Sequence, residues 1–373
     1  MTERTARAIA IDALGRVDEG AYANLVLPPL LDRSGLPDRD RHLVTELVYG
    51  TTRMRRACDF VLERHLRREV EADVRTALRM GVYQLVFLGT PAHAAVTTTV
   101  DVAPARARGF VNAVLRRVAE AGPPRWPNPA TELSYPDWVL ERLVADIGEH
   151  DAMGALRRMN VPAPSHRRPD GYVQDPASQW VAEAVEAGEA DVVVDVCAAP
   201  GGKATWMAHT AGRVVAGDVR PSRAQLIAGN AVRTKVNNVS VVIMDGAAAP
   251  LRGGSATRAL VDAPCSGLGV LGRRPDARWR LGPEAVDQLA ALQRVVVEDA
   301  IRLLAPGALL VYSVCTMTTA ETLDVDAWVA EAHPELEALP PPGQPWRPHG
   351  RGALLLPQAA GTDGMFVLRL RRP

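Results

Sequence analysis

Four cysteines and a series of carboxylates are the residues whose types and spacing can do chemistry in this chain. The cysteines are Cys58, Cys197, Cys265 and Cys315. No C-x-x-C pair occurs, and the spacings fit neither a zinc site nor a secreted disulfide framework, so free thiols and no bound metal are expected. Cys58 falls on an amphipathic helical stretch and reads as an inert buried residue. Cys265, in DAPCSGLGV (262–270), and Cys315, in YSVCTM (312–317), each follow a strand-like run instead. A thiol at a strand end, near a helix amino end and with Lys203 nearby, is open to a depressed pKa. Such a thiolate can add to C6 of a cytosine ring and make C5 a nucleophile for a methyl group. A base then removes the C5 proton and the thiol leaves, so one hard step is split into easier ones. The ring must be flipped out or single-stranded. Its N3 edge also needs a partner, and Asp262, three residues before Cys265, is placed to hold it.

A second constellation is the turn DVCAAPGGK (195–203), which opens a helix after the apolar run DVVVDV. Further carboxylates close the next predicted strands: Asp218, Asp245 and Asp262. A carboxylate ending the second strand suits a ribose diol, because it accepts both hydroxyl hydrogens. The glycines let a ligand approach the backbone, and the helix amino end favours a ligand carboxylate. Cys197 stands where a phosphate-binding P-loop needs its first glycine, Ala204 follows Lys203, and no G-x-G-x-x-G occurs. A nucleoside ligand without phosphates remains, with S-adenosylmethionine the obvious candidate. Cys197 reads as pocket lining. Lys203 and Lys235 are the only lysines against 41 arginines, so an ammonium inside the glycine loop suggests that one is wanted there.

These residues need elements to carry them. Apolar positions recur at three and four through residues 1–120, in segments such as RHLVTELVYGTTRM and VRTALRMGVYQLVFLG, predicting an all-α bundle. Breaks are expected at Pro28–Pro29, Gly35–Pro37 and Pro91, and Met80, Tyr83, Phe87 and Phe110 are expected in its core. The proline-rich AGPPRWPNPA (121–130) reads as a boundary, followed by helices around 136–147 and 150–159. From 191 the rhythm becomes strand, glycine loop, helix. This predicts an α/β Rossmann-like domain with a doubly wound, mostly parallel sheet, and MFVLRL as its edge strand. The expected domains are 1–125, a connector of linker and helices over 126–170, and 171–373. In such sheets ligands bind beyond the carboxyl ends of the strands, where the acids fall.

The charge is balanced, 43 basic against 43 acidic residues, so overall charge gives no argument for a nucleic-acid partner. Any RNA-binding surface would be a local patch, such as Arg53, Arg55 and Arg56 or Arg273, Arg274, Arg278 and Arg280; each run reads first as a solvated face. No stretch of eighteen apolar residues and no secretory leader is evident, so a cytoplasmic protein is expected, with no membrane association.

Together these motifs resemble the Sun/Fmu (RsmB-type) family of ribosomal-RNA cytosine-5 methyltransferases. DVCAAPGGK, Asp218 and Arg223 in GDVRPSR, Asp245, DAPCSGLGVLGRRPDARW (262–279) and YSVCTM carry the resemblance, with LSYPDWVLERL (133–143), GYVQDPASQW (171–180) and GFVNAVLRR (109–117) outside them. The helical front resembles the NusB-like RNA-binding domain of that family. The resemblance implies S-adenosylmethionine as cofactor, lined by Cys197, Ala198, Ala199, Pro200, Gly201, Gly202, Lys203, Asp218, Arg223, Asp245 and Asp262. It implies Cys315 as nucleophile, Cys265 as helper in product release, Asp262 and Lys203 as catalytic partners, and small-subunit (16S) ribosomal RNA as substrate for a monomer. Spacing alone does not rank the two cysteines, and DNA cytosine-5 methyltransferases use a Pro-Cys thiol, which would nominate Cys265.

Two departures stand out. MNVPAPSHRRPDGYVQD runs almost directly from one family segment to the next, where an RRM-like region is usual, and Val314 replaces a common Thr. The shortened region keeps other acceptors in view, transfer RNA or a small metabolite. A non-enzymatic RNA-binding module is the remaining alternative, opposed by the intact Cys265, Cys315, Asp262 and Lys203.

Overall fold

The periodicity of the first 120 residues produces helices wherever the apolar stripe can be buried. The computed structural model describes residues 5–373, which form two compact units. One runs to Leu140 and also takes in Arg274–Arg280; the other holds Glu141–Arg273 and Leu281–Pro373. Residues 126–170, expected as a connector, are therefore divided between the two. Among the described residues no helix is long and apolar enough to cross a membrane.

The first unit is helical, with Ala6–Asp18, Asp38–Arg53, Arg55–Glu63, Ala72–Val82 and Arg108–Glu120 among its helices. The Thr5 hydroxyl caps the first of these, accepting the Ala8 N–H at 3.3 Å. Ile9, Leu47, Leu62, Leu78, Met80 and Leu115 fill the core with Cys58, which is fully buried. Three expectations need correction here. Helix Ala23–Asp32 runs through Pro28 and Pro29 and stops only at Asp32. Phe110 is 41% exposed, because the buried face of its helix is Val111, Val114, Leu115 and Val118. The two arginine runs are not uniform solvated faces. Arg53 and Arg278 are buried, and the Arg278 guanidinium lies 3.8 Å over the Tyr135 ring while donating to the carbonyls of Arg53 and Ser134 at 3.3 Å. Trp279 adds a bond from Nε1 to the Thr52 carbonyl at 2.8 Å. A planar, weakly hydrated guanidinium can stack and bond at once, which is how this arginine tolerates burial.

The second unit is built on a nine-stranded sheet. Its strands are β1 (Val192–Asp195), β2 (Arg213–Asp218), β3 (Val239–Ile243), β4 (Ala256–Asp262), β5 (Leu304–Val314), β6 (Glu337–Ala338), β7 (Arg347–His349), β8 (Gly352–Leu355) and β9 (Met365–Arg371). The order is β3-β2-β1-β4-β5-β9-β8-β7, with β6 also paired to β9. The first five run parallel, as the alternating pattern predicted, with helices in every connection except the loop from β3 to β4. β9 is not an edge strand. It pairs antiparallel with β5 on one side and with β6 and β8 on the other, and Met365, Phe366, Val367, Leu368 and Leu370 are all buried. A short hairpin, β7–β8, forms the rim instead. Chain order reverses between β1 and β4, so the ligand crevice lies beyond their carboxyl ends.

Candidate active site

The register of the sheet brings the chemical residues together. Asp195 pairs with Leu260, and Asp262 with Ser313. Just past these positions Cys265 and Cys315 face each other with sulfurs 3.2 Å apart. A backbone seam holds the two loops: Ala263 N–H donates to the Ser313 carbonyl at 3.0 Å, Gly269 N–H to that of Cys315 at 2.9 Å, and Gly364 N–H to that of Gly269 at 2.8 Å. Residue 269 has to be glycine, since a Cβ there would stand 2.2 Å from the Gly364 carbonyl oxygen and 2.9 Å from that of Cys315.

The hydrogen bond to Cys315 pushes the Cys265 pKa well up, helped by burial and by the charges of Cys315, Glu321 and Asp262. The thiol form of Cys265 is favoured by these surroundings, and the 3.2 Å contact accommodates either sulfur as donor. The depressed thiol expected near Lys203 is not found at Cys265, because the bond to Cys315 and burial outweigh any nearby cation. Burial and the charges of Asp195, Asp262 and Asp218 likewise push the half-buried Cys197 thiol far up.

Lys203 lies on helix Gly202–Met207, and its Nζ donates to Asp262 Oδ2 at 2.7 Å. Burial alone would lower the lysine pKa. The charge and hydrogen bond of Asp262, with the charges of Cys315 and Asp195, leave it raised, so the ammonium persists. Beneath it Asp195 is fully buried and neither of its oxygens has a hydrogen bond of good geometry. Burial first, then Asp262 and Asp218, push its pKa to about 8 against the opposing pull of Lys203 and the Cys197 N–H.

The glycine turn is tied down on every side. Ala198 N–H donates to the Gly217 carbonyl at 2.8 Å, and Asn230 Nδ2 to that of Pro200 at 2.7 Å. Gly201 has φ +103°, and a Cβ on it would meet the Ile227 Cα at 3.1 Å. Arg223 donates to the Ala199 carbonyl at 3.2 Å and pairs with Asp218 at 3.0 Å, so it braces the pocket wall. Asp218 is buried at the end of β2; Asp245 is exposed just past β3, accepting the Ala247 N–H at 2.9 Å. The Asp245–Gly246 turn passes close to Cys197, whose sulfur would lie 3.4 Å from a Cβ at Gly246. The carboxylates of Asp218, Asp245 and Asp262 around a glycine cradle repel phosphates, accept ribose hydroxyls and attract a cationic ligand. That donor set fits S-adenosylmethionine, whose sulfonium and ammonium are positive.

Two contributors escaped the sequence reading. Arg168, in an irregular stretch, is buried between the rings of Tyr172 and Trp206 at 4.8 and 5.0 Å and donates to the Gly202 carbonyl at 2.7 Å. Nothing local distinguishes it from its neighbour Arg167. Glu321, fully buried, binds the Cys265 loop through Ser266, and only its position six residues past Cys315 hints at that.

Comparison with known proteins identifies the family. A family model described as 16S rRNA methyltransferase RsmB/F matches residues 182–371, and a NusB family model matches residues 4–120. The chain is 35% identical to ribosomal RNA small subunit methyltransferase B of Thermus thermophilus, covering 100% of this chain and 99% of that protein. It is 28% identical to the protein of that name from Serratia proteamaculans, covering 98% of each. The alignment with the putative methyltransferase Rv1407 of Mycobacterium tuberculosis, 36% identical, spans 98% of this chain and 96% of that one. Its 445 positions exceed the 373 residues here, so parts of that relative have no counterpart. The crystal structure of PH0851 shares the fold, with a TM-score of 0.82 at 22% identity over 100% of this chain and 99% of that one. Sheet order, glycine turn and full-length similarity lead to one conclusion: this chain belongs to the RsmB/F family of S-adenosylmethionine-dependent methyltransferases and carries a NusB-family domain at its front.

Proposed function

We propose that the protein methylates C5 of a cytosine in small-subunit ribosomal RNA through a covalent bond between Cys315 and C6 of the base. The observation that carries this reading is the pair of sulfurs 3.2 Å apart beside the Lys203–Asp262 pair. S-adenosylmethionine, when bound, supplies the methyl group. The chain's own residues do the rest. Cys315 attacks C6, forming the S–C6 bond and raising electron density at C5. Asp262, oriented by the Lys203 ammonium, faces the N3 and N4 edge of the ring. Cys265, adjacent to the attacking sulfur, takes up the C5 proton as a thiolate once its own proton has passed to solvent; the C5–H electron pair restores the C5–C6 double bond, and the S–C6 bond breaks to release Cys315 as thiolate. The cofactor is held by residues 197–203 with Asp218, Asp245 and Asp262, and Arg223 supports the wall.

The test is transfer of radiolabel from S-adenosylmethionine to unmethylated ribosomal RNA by the wild type, Cys315→Ala and Cys265→Ala. Label in 5-methylcytosine, lost with Cys315→Ala, and an RNA-linked protein band with Cys265→Ala are expected. A Cys315→Ala protein that still makes 5-methylcytosine would overturn the assignment. One observation favours a second acceptor, transfer RNA or a small metabolite. From the end of helix Glu149–Asn160 the chain reaches the Arg167–Val173 bridge directly, with no intervening domain to grip RNA. Label in transfer RNA and none in ribosomal RNA would decide for it.

A further inference from the structure

Glu321 is fully buried, yet the chemistry above makes no use of it. Four donors converge on its carboxylate. Ser266 N–H at 2.8 Å and Gln293 Nε2 at 3.0 Å reach Oε1, while Ser266 Oγ at 2.5 Å and Thr318 Oγ1 at 2.9 Å reach Oε2. The donors come from three separate stretches of chain. Ser266 follows Cys265, Thr318 lies three residues past Cys315, and Gln293 is on helix Glu284–Leu303. Gln293 in turn donates to the Pro264 carbonyl at 2.9 Å and lies 2.9 Å from the Tyr312 hydroxyl on β5. Ser266 Oγ also sits 2.9 Å from Thr316 Oγ1. Pro264 and Ser266, the neighbours of Cys265, and Thr316, the neighbour of Cys315, are thus all bound into one network around this carboxylate.

Burying a carboxylate is costly even when every lone pair is satisfied, and well-packed apolar residues would hold two loops together at least as well. What an apolar contact lacks is direction. Hydrogen bonds from both loops to one rigid carboxylate define the distance between them to a fraction of an ångström.

We infer that Glu321 is a positioning residue: by binding Ser266 and Thr318 together it sets the Cys265 sulfur against that of Cys315. The inference rests on the reading that both cysteines act on one base. The negative charge of Glu321 has a second effect, since it is among the causes that keep Cys265 protonated, after the bond to Cys315, burial and the charge of Cys315.

The experiment compares full-length wild type with Glu321→Ala, Glu321→Gln and Ser266→Ala. Melting temperature and S-adenosylmethionine binding report whether each variant is folded. Two readouts follow: kcat and KM for methyl transfer to RNA, and the rate at which diamide oxidises Cys265 and Cys315 to a mapped disulfide. In the latter the two thiols lose their protons and two electrons to diamide, which becomes the hydrazine, and neither RNA nor cofactor is needed. For Glu321→Ala, kcat should fall about 100-fold with KM for RNA nearly unchanged, the scale expected for a misplaced reacting group. Disulfide formation should slow by about tenfold or more, because the site depends on this supporting shell. Glu321→Gln, which keeps the shape and one carbonyl acceptor, should lie between. Disulfide formation at the wild-type rate in a folded Glu321→Ala overturns the inference, as does a fall in kcat fully matched by lost cofactor binding. If Glu321→Ala does not fold, Ser266→Ala decides: slower disulfide formation supports the inference, and the wild-type rate overturns it. If the wild type makes no 5-methylcytosine at all, the proposed function falls, and the disulfide rates still judge the role of Glu321.

Discussion

Lys203 and Asp262, 59 residues apart in the chain, meet at 2.7 Å beside the two sulfurs. The pair joins the helix that follows the glycine turn to the last residue of β4, and its charges act on the same crevice as Asp195 and Cys315. Lys203→Met leaves Asp262 without its ammonium and removes the cation that offsets Asp195. Methyl transfer should fall by about 10²- to 10³-fold, the usual cost of one preorganised electrostatic partner. Steady-state kinetics beside calorimetric cofactor binding checks this. A loss below tenfold would show that the pair does not orient the base.

Asp195 makes stability depend on pH. Its folded pKa, about 8, lies above the unfolded carboxyl value, so the native state binds a proton that the unfolded chain has released. Its contribution is then most favourable below the unfolded value of about 4 and is lost as pH rises through about 8. Asp195→Asn removes this dependence. The variant should melt higher than wild type at pH 8, by an amount on the order of a few kcal/mol at most, with the gap closing toward pH 4. Thermal unfolding across that range reads it, and a gap that grows on acidification would contradict the assignment.

Arg278 tests the helical unit separately from the catalytic one. Truncation to Ala removes the stack on Tyr135 and the bonds to two buried carbonyls. A loss of about 2–4 kcal/mol is expected, since buried acceptors lose a charged donor. Arg278→Lys should recover less than half, because an ammonium neither stacks nor forks as a guanidinium does. Denaturant unfolding of the three proteins gives the comparison, and full recovery by lysine would show that charge alone matters.

Gly269 and Gly229 should respond oppositely to alanine. At Gly269 the new Cβ collides with the backbone that joins the two cysteine loops, so methyl transfer should fall by about 100-fold as the reacting groups are displaced. Gly229, exposed within helix Pro221–Arg233, has nothing within 4 Å of its Cβ position. Alanine there should stabilise by about 0.5–1 kcal/mol through helix propensity alone. An active Gly269→Ala protein would refute the close-packed seam.

Much of the fold was legible because its signals are local. Period-three-and-four apolar positions mark the helices of the first 120 residues, and DVVVDV and ATRALVDAPC mark strands whose ends carry acids. The bend to glycine at 201 and the acid closing β2 are read from motif residues that each act where they stand. Expectations failed where the outcome depended on distant partners. Phe110 turned outward because its helix buries the neighbouring stripe, and MFVLRL became an interior strand because GALL, ten residues earlier, pairs with it.

By itself the sequence determined the order of elements, the thiols available and the anionic character of the cofactor turn, all properties of short segments and their composition. Only the tertiary structure decided that Cys265 and Cys315 touch, that Lys203 pairs with Asp262, that Arg278 is buried on Tyr135 and that Glu321 binds the loops of both cysteines. For the two cysteine loops the physical reason is the register between β4 and β5 together with the hydrogen bonds that close beyond it; for Arg278 it is packing within the helical unit. Apart from Thr318, three residues before Glu321, those partners lie tens of residues apart or more, and such a bond leaves no mark on the local pattern of either one.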